Sequence, residues 1–220
     1  MQEIARALIE TQSVLIRPEE PFQLASGRLS PVYVDCRRLI SFPKEREAIT
    51  RAFAQIAKRD IGLGAMDVIA GGETAGIPFA AFLAMELKKP MIYVRKAPKG
   101  YGKGAQMEGV LQAGQRVALV EDLVTDGASK LAFQKGIEAA GGSVKNCLCV
   151  FEYYSKTAGL QEARTRLREH GITLHSLANW DELLELLLSE GRLTPVQVEK
   201  ILAFLRNPGA HQKDADPLRI

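Results

Sequence analysis

Residues 117–130 read VALVEDLVTDGASK. Val117 to Val120 is a short apolar run suited to a fully buried strand, and Glu121 and Asp122 follow at its carboxyl end. Thr125, Asp126, Gly127, Ala128 and Ser129 then bring hydroxyls, small side chains and free backbone N–H groups to the point where a helix should begin. In open α/β sheets, ligands sit outside the carboxyl ends of the strands. A helix start at that place carries partial positive charge and unpaired donors, which favour a phosphate. The two acids repel a phosphate but suit ribose hydroxyls or a phosphate-bound Mg²⁺. The stretch therefore asks for a sugar phosphate. The bland alternative is an ordinary strand–turn–helix junction with capping residues.

Working outward, strands and helices alternate. Asp67–Ala70, Met91–Val94, Val117–Val120, Ser143–Phe151 and Thr173–Leu177 read as strands. Helices are expected over residues 2–12, 43–58, 77–87, 129–140, 160–170, 181–189 and 195–205, with Pro43 in a first turn and Thr194 as a cap. This alternation predicts an α/β fold with a mainly parallel central sheet and helices on both faces. Residues 15–40 precede the alternation and read as a small N-terminal hood, with Phe22–Leu24 and Val32–Val34 as short strands around a turn at Ser26, Gly27 and Arg28. No linker separates two units, so residues 1–220 are expected to form one domain closed by C-terminal helices at about 181–206, with a frayed tail from Pro208.

Composition bounds the rest. The chain has 220 residues, 46% hydrophobic and 25% charged, with a formal charge of +3, so neither a nucleic-acid nor a membrane partner is implied. No apolar run approaches the ~20 residues that span a bilayer. Cys36, Cys147 and Cys149 lack metal-ligand spacing, and Cys147 and Cys149 alternate along one apolar strand as buried residues. The cytoplasm is the expected compartment.

Three further segments carry chemistry. Gly71, Gly72, Glu73, Thr74 and Ala75 join a strand to a helix, and the glycines suit close approach to an anion, or a plain βα turn. Arg95, Lys96, Lys99 and Lys103 lie among Gly100, Gly102 and Gly104 with no acid, a pattern suited to a cationic lid over a strongly negative leaving group, or to a plain solvated basic loop. Residues 22–35, FQLASGRLSPVYVD, offer Arg28 and Tyr33 as a wall for a flat heterocycle, or else an edge hairpin.

The 117–130 stretch resembles the phosphoribosyl-diphosphate (PRPP) signature of type I phosphoribosyltransferases, whose pattern is apolar strand, two acids, two apolar residues, Thr and a glycine loop. The segment SGRLSPVYVDCRRLISFPK and the lid positions Arg95, Lys96, Lys99, Tyr101 and Gly102 narrow the resemblance to orotate phosphoribosyltransferases, over about residues 15–180. Purine-directed relatives typically lack both features. The resemblance implies transfer of a phosphoribosyl group from PRPP to orotate with Mg²⁺, in a homodimer whose lid reaches into the neighbour's site. It gives Lys99, Arg95 and Asp122 catalytic roles. PRPP would be held by residues 71–75, by Arg95, Lys96, Lys99 and Tyr101, and by Glu121, Asp122, Leu123, Val124 and the loop Thr125–Ser129. Mg²⁺ would be carried mainly by PRPP near Glu121 and Asp122, with no protein metal site. Orotate would meet Ser26, Arg28, Tyr33, Val34 and Thr125. Three positions depart from the family pattern. Ala25 and Ala75 stand where many members have Lys, and residues 150–156, VFEYYSK, lack an Arg that pairs with the substrate carboxylate. Arg28, Lys156 or backbone N–H groups are the candidates to replace it. The competing readings are a phosphoribosyltransferase for another base and a non-catalytic PRPP-binding regulator.

Overall fold

The structure is a computed structural model that describes residues 2–24, 27–97 and 106–208, and the backbone alone of 218–219. Helix α1 (Gln2–Glu10) leads into β1 (Val14–Ile16), β2 (Phe22–Gln23), β3 (Leu29–Ser30) and β4 (Val32–Val34). A 3-10 turn, Cys36–Ser41, precedes α2 (Pro43–Ile56). The body follows as β5 (Val68–Gly72), α3 (Gly76–Leu87), β6 (Met91–Val94), β7 (Met107–Glu108), β8 (Arg116–Val124) and α4 (Ala128–Ala139). It continues as β9 (Ser143–Glu152), α5 (Glu162–Glu169), β10 (Thr173–Asn179), α6 (Trp180–Ser189), α7 (Pro195–Arg206) and β11 (Leu218–Arg219).

Six strands form the central sheet in the order β10-β9-β8-β5-β6-β7. All neighbours run parallel except β6 and β7. Side chains alternate across this sheet as the two-residue period requires. Ile69, Ala118, Val120, Leu148 and Val150 face a core shared with α1, α2, α3 and α6. Val68, Ala70, Val117, Leu119, Cys147 and Cys149 face the core under α4 and α5. Both faces are covered, which is why the strands read as continuous apolar runs. The cysteines are all buried and free, and burial pushes the Cys147 thiol up to about 12.

Several boundaries differ from the sequence expectation. β8 continues through Glu121 and Asp122 to Val124, because Glu121, Leu123 and Val124 pair with Cys149, Phe151 and Glu152 of β9. β5 likewise runs through Gly71 and Gly72, which pair with β6. The hood is not one hairpin. Phe22 and Gln23 pair with Ser30 and Leu29, whereas Val32–Val34 pairs with the unforeseen strand Val14–Ile16. Pro31 separates the two partners of this switch, and the Ser30 hydroxyl bends the chain by donating to the Val32 carbonyl at 2.6 Å. The polar segment after Lys96 contains β7, so the predicted lid springs from an antiparallel stem. Arg95 N–H donates to the Gln106 carbonyl at 2.7 Å, and Gln106 Nε2 returns a bond to the Arg95 carbonyl at 2.9 Å. The tail expected to fray has Leu218 and Arg219 paired with Phe22 and Gln23.

Chain order reverses between β5 and β8, since β6 lies on one side of this pair and β9 on the other. The carboxyl ends of β5 and β8 therefore flank a crevice.

Candidate active site

A cavity of about 300 Å³ opens at this crevice. It is lined by Glu73, Thr74 and Ala75 after β5, Lys96 after β6, and Glu121, Asp122, Leu123 and Thr125 at the end of β8. Ser129, Lys130 and Phe133 of α4 complete that side, and Val34, Asp35 and Arg37 form the wall towards the hood. The structure thus brings together the acid pair, the βα turn and the lid stem, which are far apart in sequence.

Glu121 is 5% exposed and Lys130 also 5%. Lys130 Nζ donates to Glu121 Oε2 at 2.7 Å, to the Leu123 carbonyl at 2.8 Å and to Ser129 Oγ at 3.1 Å. An ammonium has three donors, and these three acceptors use them all. The side chain ties the sheet, the strand end and the start of α4 together. Burial opposes its charge, but Glu121 outweighs burial and holds the Lys130 pKa above its ordinary value. Burial raises the Glu121 carboxyl against the pull of Lys130, and Glu121 Oε1 is buried with no hydrogen-bond partner. Asp122 is only partly covered. Its carboxyl is also raised by burial, opposed by Lys130 and by the amides of Leu123 and Asp122 itself.

The glycines of the βα turn serve internal packing rather than ligand approach. A Cβ on Gly71 would stand 2.7 Å from Ile77 Cα. One on Gly72 would overlap the Glu121 carboxylate, and both glycines are buried within β5. The turn beyond them meets the cavity through Glu73, Thr74 and Ala75, and the Glu73–Thr74 peptide is cis. Glu73 Oε2 accepts from the Lys96 amide at 2.9 Å, joining this turn to the lid stem.

At the phosphate-type loop, Gly127 adopts φ +80° and stands as the N-cap of α4. The first turn of such a helix leaves N–H groups without intrahelical acceptors. Asp126 accepts from the Ala128 amide at 3.2 Å and pairs with Arg166 at 3.0 Å, so its carboxylate is already engaged. Val124 is fully buried in the apolar core beneath the loop.

Other residues singled out from sequence lie elsewhere. The Arg95 guanidinium is not part of the cavity wall; it pairs with Glu108 at 3.0 Å and lies 5.8 Å from the Tyr93 ring centroid. Tyr33 is half-buried and outside the cavity lining, with its ring 6.2 Å from that of Phe22. Arg28 is exposed and outside the cavity lining. Ser26, Lys99 and Tyr101 lie outside the described residues. Sequence reasoning missed Lys130, Phe133, Asp35 and Arg37. Lys130 directly follows the recognised loop, but nothing local says that it turns inward to Glu121. The acid two residues before Arg37 was a signal for their pairing.

No protein-family model matches the chain. It is 47% identical over 220 residues to the orotate phosphoribosyltransferase of Cereibacter sphaeroides (strain KD131 / KCTC 12085), covering 98% of this chain and 92% of the relative. The Sinorhizobium fredii orotate phosphoribosyltransferase is 45% identical over 205 residues, or 93% of this chain and 87% of the relative. Among solved structures, the orotate phosphoribosyltransferase of Aeropyrum pernix superposes with a TM-score of 0.70 at 30% identity, covering 87% of this chain and 99% of that one. The UMP synthase of Leishmania donovani superposes with a TM-score of 0.75 at 28% identity, over 93% of this chain but 42% of that one. Near-complete coverage at this identity, on a fold whose switch-point crevice holds the acid pair and its loop, places the chain in the orotate phosphoribosyltransferase family.

Proposed function

We propose that this chain carries out its family's reaction, transfer of the phosphoribosyl group of PRPP to orotate, giving orotidine 5′-monophosphate and pyrophosphate in pyrimidine synthesis. The observation that carries this reading is the meeting of Asp122, the Thr125–Ser129 loop and the Glu73–Ala75 turn in one cleft. The chemistry is substitution at an anomeric carbon through an oxocarbenium-like transition state. The acceptor anion is itself the nucleophile, so the protein's work is to align two reactants and to neutralise the leaving group.

In this reading the amides and hydroxyls of Thr125–Ser129 hold the 5′-phosphate at the start of α4. Asp122 accepts from the ribose hydroxyls, while Glu121 acts as the floor that Lys130 holds in place. The 73–75 turn and Lys96 receive the pyrophosphate. Among the described residues no group of three or more His, Cys, Asp or Glu side chains is placed to hold a metal ion. Within the acid pair, Glu121 is buried and held by Lys130, so Asp122 is the member placed to approach one. That donor set fits a Mg²⁺ carried mainly by PRPP oxygens and water. When bound, the ion would offset charge on the departing pyrophosphate.

Homodimerisation belongs to the same proposal. Met85 on α3 is 77% exposed and Val110 79% exposed. The pairing of Arg95 with Glu108, outside its own cleft, suits a lid used by a neighbouring subunit. The three buried free cysteines support a reducing, cytoplasmic location for this reading.

The test is pyrophosphate release with PRPP, Mg²⁺ and orotate, with uracil and adenine as controls. Turnover with orotate alone is the expected result. Preference for another base would transfer the acceptor, and PRPP binding without turnover on any base would favour a regulator. The crossing lid is tested by mixing Lys99→Ala with Asp122→Asn subunits. A hybrid dimer should regain activity towards half of wild type, because one site then carries both defects and the other neither. Demonstrated subunit exchange with no recovery would assign the lid to its own subunit.

A further inference from the structure

The loop after β9 lacks the Arg that pairs with the acceptor carboxylate in many family members, and the cleft offers few replacements. Lys156 is exposed, its amide is held by Asp181 at 2.7 Å, and it does not line the cavity. Arg28 is outside the lining too. Arg164, the next arginine in sequence, is fixed on the buried Glu152 by both Nε and Nη2, with Nη2 also donating to Ser176 at 3.1 Å. It is likewise not a cavity residue.

Three cations line the cleft among the described residues: Arg37, Lys96 and Lys130. Lys130 has spent its three donors. Lys96 stands beside the 73–75 turn, on the leaving-group side. Arg37 stands with Val34 and Asp35 on the wall towards the hood, the side that the proposed reaction leaves for the acceptor. Its side chain is 62% exposed. Asp35 Oδ1 accepts from its Nε at 2.6 Å and from its backbone N–H at 3.2 Å. The two terminal nitrogens make no hydrogen bond among the described residues, so this cleft-lining side chain keeps a pair of donors available. A fixed guanidinium edge is the geometry that takes a carboxylate bidentately.

We infer that Arg37 receives the carboxylate of the acceptor base and that Asp35 orients it. This inference rests on the proposed acceptor. In orotate the carboxylate is attached beside the ring nitrogen that attacks, so fixing it also aims that nitrogen at the anomeric carbon. The position is a consequence of the 3-10 turn Cys36–Ser41, capped by Asp35, which brings the residue after Cys36 back over the cleft.

Steady-state kinetics of Arg37→Gln and Arg37→Lys, varying each substrate in turn, test the inference. Loss of a charge-assisted pair should raise the orotate KM roughly 10- to 100-fold in R37Q. The PRPP KM should stay within about twofold of wild type, and R37K should fall between, since it keeps the charge without the fork. Asp35→Asn should raise the orotate KM in the same direction but less. A wild-type orotate KM in R37Q, or a rise confined to the PRPP KM, would overturn the inference while leaving the proposed reaction standing. Wild-type protein that does not use orotate would remove both, and the control bases would show that case directly.

Discussion

Glu121, on the sheet side of the cleft, is 5% exposed and clamped by a lysine whose three donors are all used. Arg37, on the hood side, has a side chain 62% exposed and one hydrogen-bonded carboxylate, Asp35, with Asp122 near enough to act on its charge. The sheet side is an extension of the core: β8 keeps pairing with β9 through the acids, and Gly72 leaves room for the Glu121 carboxylate. The hood side is made of strands two or three residues long, joined by pairings that do not involve the central sheet. The difference teaches where rigidity is needed. Under the proposed reaction, the donor sugar phosphate would meet preorganised dipoles, whereas the acceptor would meet side chains held by local turns.

Lys130→Met would break the rigid side most severely. It leaves Glu121 buried without its cation, a change that typically costs about 3–5 kcal/mol. A fall in thermal stability of that size is expected by calorimetry, with activity lost alongside. The sign with pH follows from the stranded acid. Glu121 already has a raised carboxyl, and without Lys130 it rises further. The stability deficit should therefore be greatest at high pH and shrink on acidification as Glu121 takes up a proton. A deficit that does not vary with pH would mean that packing, not charge, is what Lys130 supplies.

Asp122→Asn separates chemistry from stability on the same wall. Loss of a charged acceptor for the ribose hydroxyls should lower kcat/KM at least roughly tenfold. The Asp122 carboxyl is raised by burial, so its ionisation costs the folded state stability as pH rises through that value. At neutral pH the Asn variant should accordingly melt no lower than wild type. Full activity with an intact fold would remove Asp122 from the reaction.

Tyr33→Ala probes the softer wall and should have the smallest effect. Tyr33 is half-buried against Phe22, so about 1–2 kcal/mol of stability should be lost with its apolar area and ring contact. If it supports the acceptor through Val34, the orotate KM should rise more than the PRPP KM. Equal changes in both, with the same loss of stability, would reduce it to a hood-packing residue.

The contrast also explains what could be read in advance. Val117–Val120, Met91–Val94 and the helix behind Gly76 are local patterns of period and punctuation, and they recur in the structure with shifts of a few residues at their ends. The strand ends were misjudged because acids and glycines read as terminators, while parallel pairing with a neighbour carried β5 and β8 past them. The hood was read as one hairpin because Val14–Ile16 carries no turn signal towards its partner. Only long-range pairing with Val32–Val34 makes it a strand.

By itself, the sequence determined the α/β class, the acid–loop signature and the membership of a sugar-phosphate-transferring family, because these depend on residue order within a dozen positions. Tertiary structure alone decided which atoms face the ligand. It turned Lys130 inward onto Glu121, gave Gly72 its reason in a carboxylate from a different strand, directed Arg95 to Glu108, and brought Arg37 across from the hood. The approach of Gly72 to Glu121 and of Arg37 to the cleft joins segments that chain order leaves far apart, while Lys130 and Arg95 turn to partners nearer in the chain whose direction the sequence does not show. The cleft itself follows from the parallel pairing of β5 with β8 at the switch point, which no local pattern encodes.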